Sequence, residues 1–159
     1  MNYVFLFYGA CVAVTLGLAL FAQRKALIEL GFILLTAWVG CNLAVMARGF
    51  TQAPMLIPTI DAILALCVAG ITIYHQSKAA AWVFGLFVAV QLVHVVAFQL
   101  QTQGSYFYFL ALNVLFLCQL AVVGGTSVAI LVGRLAPTPG MADRFSRGRV
   151  FPRRRARGG

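Results

Sequence analysis

AAAWVFGLFVAVQLVHVVAFQL, residues 79–100, runs for twenty-two residues with His94 as its one ionisable side chain. An α-helix rises ~1.5 Å per residue, so ~20 apolar residues cross the hydrocarbon core of a bilayer. The stretch is too long and too apolar for a solvent loop and reads as a membrane span. Four others read the same way: 3–22, 26–47, 56–74 and 106–132. The breaks between them are QRK, RGFTQAP, HQSK and QTQGS. Connections this short make successive helices antiparallel neighbours. No repeat is visible, and no soluble domain is inserted.

Composition supports this reading. Of 159 residues, 62% are hydrophobic and 9% charged, and the mean hydropathy is +0.95. A water-facing domain is nearer half apolar and a quarter charged. The expected fold is an all-α integral membrane bundle of five transmembrane helices over residues 1–134, followed by a disordered basic tail at 135–159. The first run lacks a basic residue before it and a small residue at Leu20, so it is expected to be retained rather than cleaved. Residues 3–47 could also form one long bent helix, but adjacent cations at Arg24 and Lys25 argue for a hairpin.

The charge is concentrated at one end of the chain. Twelve Lys and Arg face three acids, Glu29, Asp61 and Asp143. With the N-terminus outside, eleven of the twelve cations fall on the cytoplasmic side and only Arg48 falls outside, as the positive-inside rule requires. Seven lie in the tail: Arg144, Arg147, Arg149, Arg153, Arg154, Arg155 and Arg157. Its prolines and glycines oppose a helix. Such a segment is drawn to anionic lipid headgroups, at ~1 kcal/mol per basic residue near the surface. Few aromatics are interleaved with the arginines, so specific nucleic-acid recognition is not expected.

Depth can be counted along each span. Asn42, Asp61, His94 and Asn113 come from four different helices, and each lies roughly 7–11 Å below the outer boundary at ~1.5 Å per residue. Gln91 is one turn deeper on the face of His94. Intramembrane ionisable groups usually face the bundle interior and find partners. Asp61 and His94 are therefore the expected central pair, with Gln91, Asn113 and Asn42 as hydrogen-bonding neighbours. The plainer alternatives are interhelical glue or, for Asp61, a first-turn carboxylate on a helix opening at Pro58. Glu29 lies four residues after Lys25, which reads as a local ion pair. His75 reads as a solvated loop residue, and Tyr3, Tyr106 and Tyr108 as an interfacial aromatic belt. The glycines Gly31, Gly40 and Gly124 read as points of close helix approach.

Metal and cofactor sites are not expected. Cys11, Cys41, Cys67 and Cys118 stand in apolar runs without paired spacing and read as small buried hydrophobes. His75 lies at the opposite membrane face from His94, so the two cannot share a haem. Nothing resembles a nucleophile with its base, or a phosphate loop, so no enzyme activity is expected.

The polar layer carries a resemblance. W-x-x-x-N from Trp38 to Asn42, Asp61 opening a span, QLVH from Gln91 to His94 and ALNVLFLCQL with Asn113 and Gln119 resemble small integral membrane proteins encoded by bacteriophages and prophages of Gram-negative bacteria. The resemblance spans about residues 28–125 and implies a phage-associated protein of the bacterial inner membrane. The basic cytoplasmic end is similar to that of a holin, although holins usually have one to three spans. Three functions are therefore expected candidates: an oligomeric, membrane-permeabilising or membrane-organising protein; a proton or cation transporter or channel subunit using Asp61 and His94; and an accessory scaffold in a membrane complex.

Overall fold

The computed structural model describes residues 3–52, 55–103 and 105–135; the basic tail with its seven arginines lies outside the described residues. Among the described residues there are five α-helices and no strand: α1 Tyr3–Ala22, α2 Lys25–Gln52, α3 Leu56–His75, α4 Lys78–Gln99 and α5 Tyr106–Leu135. Each is long and apolar enough to cross a membrane, which makes the chain a multi-pass membrane protein.

The spans agree with the sequence to within a few residues except at the end of α2. That helix continues to Gln52, five residues past the expected boundary at 47. Apolarity marks where lipid ends, but a helix can go on into water until the backbone forbids it. The hairpin at residues 23–25 is formed, and Gln23 turns the chain with φ 54°. Gln76 (φ 47°) and Gln101 (φ 54°) do the same after α3 and α4. Glycine is the usual residue at such left-handed positions; here glutamine fills all three.

The helices close into a ring. Each packs on its neighbours in chain order, and α5 returns to pack on α1; α2 leans inward and also touches α4 and α5. Because successive helices alternate in direction, α1 and α5 run parallel. Their last turns meet at Arg134, whose Nη2 donates to the Ala22 carbonyl at 2.6 Å and whose Nη1 reaches the Phe21 carbonyl at 3.4 Å. Cations at a helix C-terminus offset its partial negative charge. The turns bearing Arg24, Lys25 and Lys78 lie at this same end, called here the basic end.

The core is filled by Val12, Leu30, Leu34, Val68, Val83 and Val123, all buried. Large apolar side chains also cover the outside: Leu66, Ile73 and Phe107 are each more than 70% exposed. This is the arrangement expected where lipid, not water, surrounds the bundle. Small residues let α1 and α2 approach closely. A Cβ at Gly31 would lie 2.9 Å from Leu16 Cδ1, and one at Gly9 would lie 3.0 Å from the Trp38 ring. Gly40 and Gly124 make ordinary contacts with Ile60 and Thr15.

Two expectations at the basic end are corrected. His75 is not a free loop residue: its Nε2 lies 3.0 Å from Glu29 Oε2. Glu29 thus reaches across from α2 to α3 rather than back along its own helix to Lys25. The end of α3 sits beside the start of α2, so a partner on the adjacent helix competes with the local one.

Candidate functional site

Asp61 is the sixth residue of α3, which begins at Leu56 rather than Pro58. That places it past the first turn, and the ring of helices buries it to 8% exposure. The reading of Asp61 as a first-turn carboxylate facing interfacial water is thereby corrected. From α4, His94 Nε2 approaches Asp61 Oδ2 to 2.9 Å, and His94 is itself 4% exposed.

The other ring nitrogen is also occupied. His94 Nδ1 lies 2.8 Å from the phenolic oxygen of Tyr108 on α5. Ser105, just before α5, accepts from the Tyr108 backbone N–H at 3.2 Å, a cap that fixes the first turn of the helix. Tyr108 is therefore not part of the interfacial belt. Its neighbour Tyr106 is exposed, while Tyr108 is buried. The signal was available in side-chain length: a tyrosine two residues into a span carries its hydroxyl down to the depth of His94.

Three helices thus contribute Tyr108, His94 and Asp61 to one chain of two hydrogen bonds. The arrangement is compatible with two protonation states. With neutral His94, Nε2–H donates to Asp61 and Nδ1 accepts from the Tyr108 hydroxyl. With protonated His94, both nitrogens donate and the Tyr108 oxygen accepts.

The remaining polar residues of the expected layer do not bond to this pair. Asn42 Nδ2 donates to the Trp38 carbonyl of its own helix at 2.6 Å. Gln91 Nε2 donates to the Pro58 carbonyl at 3.3 Å, tying α4 to α3 one turn from the pair. Asn113 stands apart on α5. Equal depth does not bring side chains together unless their helices are also rotated toward each other.

What Asn42, Asp61 and Asn113 do share is a cavity of about 340 Å³. All five helices line it. Phe5 and Tyr8 of α1, Trp38 of α2, Phe87 of α4 and Phe109 and Phe116 of α5 make its aromatic wall. Phe5 lies against Trp38 with ring centroids 4.6 Å apart. The polar lining is Cys41, Asn42, Asp61, Asn113 and Gln119. His94 and Tyr108 do not line the cavity; they stand behind Asp61. One carboxylate oxygen is held by His94, and the other, Oδ1, has the Cys41 thiol at 4.0 Å.

Cys41 and Gln119 were not expected in the site. A cysteine in an apolar run looks the same whether it faces a carboxylate or a leucine. Gln119 is 2% exposed, and among the described residues nothing lies within hydrogen-bonding reach of its Nε2. Its spacing of three from Phe116 and seven from Leu112, both cavity residues, was the available signal.

Comparison with protein-family models, with curated proteins and with solved structures gives no match. Function must therefore be argued from the site alone. Among the described residues, no three His, Cys, Asp or Glu side chains converge as metal ligands.

Proposed function

We propose that this chain is a small proton-linked membrane transporter of the bacterial inner membrane, in which Asp61 exchanges a proton with the end opposite the basic end through His94 and Tyr108. The observation that carries this reading is the unbroken path from Tyr108 to His94 to Asp61, ending at the wall of a partly open cavity. Ionisable residues inside a membrane are costly and commonly mark ion pathways or proton relays. A histidine bonded at both nitrogens can pass a proton by taking one on one side and releasing one on the other. The positive-inside rule would place the basic end in the cytoplasm, so the relay would open outward.

The phage association and the holin-like, lesion-forming reading stand as the alternative. A lesion lined by many copies needs polar faces turned toward the hole. The outward faces here are largely apolar, and the ionisable pair points into the ring, which favours the transporter. The scaffold reading treats the same contacts as glue.

Infrared difference spectra of the protein in lipid vesicles, recorded while the pH is stepped through the acid-to-neutral range, separate the three. A reversible carboxyl component that Asp61→Asn removes, while the bands of Glu29 and His75 remain and entrapped dye is retained, is the expected result. A spectrum that Asp61→Asn leaves unchanged favours the scaffold and overturns the proton site. Escape of the entrapped dye from wild-type vesicles would instead favour the lesion.

A further inference from the structure

The cavity combines three features that the relay does not use: six aromatic rings, a carboxylate oxygen met only by a thiol at 4.0 Å, and the amide of Gln119, whose Nε2 is buried without a partner. We infer that it is a binding site for a lipophilic organic cation, with the positive charge at the Asp61 carboxylate among the aromatic rings and a hydrogen-bond acceptor of the ligand at the Gln119 amide, turned by half a revolution. The inference rests on the proton-linked reading above and names the class of cargo that the site would exchange for a proton.

Charge comes first. Asp61 Oδ2 is committed to His94 at 2.9 Å. Asp61 lines the cavity, and the partner of its Oδ1 is the Cys41 thiol at 4.0 Å, too long for a strong hydrogen bond. The titratable groups facing this carboxylate are Cys41 from α2 and His94 from α4, with Tyr108 from α5 behind His94 and Tyr8 from α1 in the cavity wall. No lysine or arginine is among the cavity's lining residues, so a cation has no competitor there. The faces of Trp, Tyr and Phe attract cations, and cages of such rings are a recurrent means of holding substituted ammonium groups.

Gln119 supplies the second, independent sign. A buried amide N–H without a partner is costly, and such a group in a native fold calls for an explanation. Gln119 follows Tyr106 by thirteen residues, so it lies ~20 Å along α5, at the deep end of the cavity it lines. Its Nε2 is screened from that space, and a half-turn about the last side-chain torsion exchanges it with Oε1 and presents the N–H to a ligand. Asp61 is five residues into α3, ~8 Å along that helix. The cavity therefore has a charged site nearer its outer end and a donor at its floor, with rings between. A ligand that fits is elongated, apolar in the middle, cationic at one end and acceptor-bearing at the other. The volume of about 340 Å³ is at the small end of the range for ligand pockets, ~300–1,000 Å³.

The exchange balances. One cation binds the Asp61 carboxylate, and the extra proton that His94 carried leaves from Nδ1 through Tyr108. With that proton in place the His94–Asp61 pair is net neutral, so proton and cation compete for one site.

The test is equilibrium binding, read from Trp38. The chain has two tryptophans, and Trp82 is exposed near the basic end, so Trp82→Phe leaves Trp38 as the reporter inside the cavity. The purified protein in lipid nanodiscs is titrated with benzyltrimethylammonium, with its neutral carbon isostere neopentylbenzene, and with benzoylcholine, which adds an ester carbonyl. Saturable quenching is expected with both cations. Binding of the isostere should be weaker by at least about tenfold, equivalent to about 1.4 kcal/mol. Asp61→Asn should weaken the cations by a similar factor, and Asp61→Glu, which keeps the charge, should retain them. Gln119→Leu should weaken benzoylcholine by about fivefold and leave benzyltrimethylammonium unchanged, given one lost hydrogen bond of about 1 kcal/mol. Isostere binding as tight as that of the cation, or no saturable change in the Trp82→Phe protein, overturns the proposal. Proton release into weak buffer is followed in the same titration. Binding without release would retain the cation site and sink the exchange. A titrating carboxyl group that binds neither cation would do the reverse.

Discussion

His94 Nε2 lies 2.9 Å from Asp61 Oδ2, joining α4 to α3 through two residues that are both less than a tenth exposed. Removing one partner from a buried pair costs about 3–5 kcal/mol in water-soluble folds. Side-chain hydrogen bonds within membrane bundles average only about 0.6 kcal/mol. Asp61→Asn and His94→Gln each keep some hydrogen-bonding capacity, so each should destabilise the bundle by about 1–3 kcal/mol. The double variant should lose less than the sum, because residues in direct contact are not additive. Unfolding in mixed micelles measures all three; strictly additive losses would show that the contact is not an energetic pair.

Tyr108→Phe removes one oxygen and keeps the ring. It leaves His94 Nδ1 buried without its 2.8 Å partner and should destabilise by about 1–2 kcal/mol. Tyr106→Phe, two residues earlier and exposed, should be close to neutral. The contrast in melting temperature between the two isolates the hydroxyl. The infrared protonation signal should also change in Tyr108→Phe and not in Tyr106→Phe.

Glycine substitutions in α1 and α2 should sort by what the new methyl group meets. Gly9→Ala would press on the Trp38 ring at 3.0 Å, a rigid plane already packed on Phe5. Overpacking of that kind costs about 1–3 kcal/mol. Gly31→Ala meets the flexible end of Leu16 at 2.9 Å and should cost less. Gly17→Ala meets nothing within 4 Å and should stabilise slightly through helix propensity, by up to about 1 kcal/mol. Thermal melts of the three variants should fall in that order, and Gly9→Ala should in addition shift the emission of Trp38.

The left-handed glutamines offer a gain. A side chain at positive φ costs about 1–2 kcal/mol relative to glycine, partly offset by the greater freedom of glycine in the unfolded chain. Gln76→Gly and Gln101→Gly should each stabilise by about 0.5–1 kcal/mol. A lowered melting temperature would mean that these side chains hold their helix ends through contacts stronger than the backbone cost.

Depth was legible in the sequence and rotation was not. Five spans, their short turns and the pairing of Asp61 with His94 follow from counting ~1.5 Å per residue from each boundary. Facing is harder. In a water-soluble bundle the polar stripe of a helix reveals which side is outside. Here Leu66 meets the exterior and Val68 the core, and both are aliphatic. With lipid and interior equally apolar, the pattern carries no rotational phase. Asn42 and Asn113 line the same cavity as Asp61, yet Asn42 bonds along its own helix. Tyr108 was passed over because it looked interfacial, and Gln119, though part of the motif ending ALNVLFLCQL, was given no place in the site. Their roles depend on which neighbour a helix turns toward, and only the assembled ring shows that.

Five is an odd number, and a closed ring of alternating helices cannot be odd without one mismatch. Every seam here joins opposed directions save that between α1 and α5. At that seam two carbonyl-rich ends meet on the same side, and Arg134 is the cation set between them. A ring of four or six would have no such meeting point. The arginine follows from the parity of the fold: add or remove one helix, and the position it occupies ceases to exist.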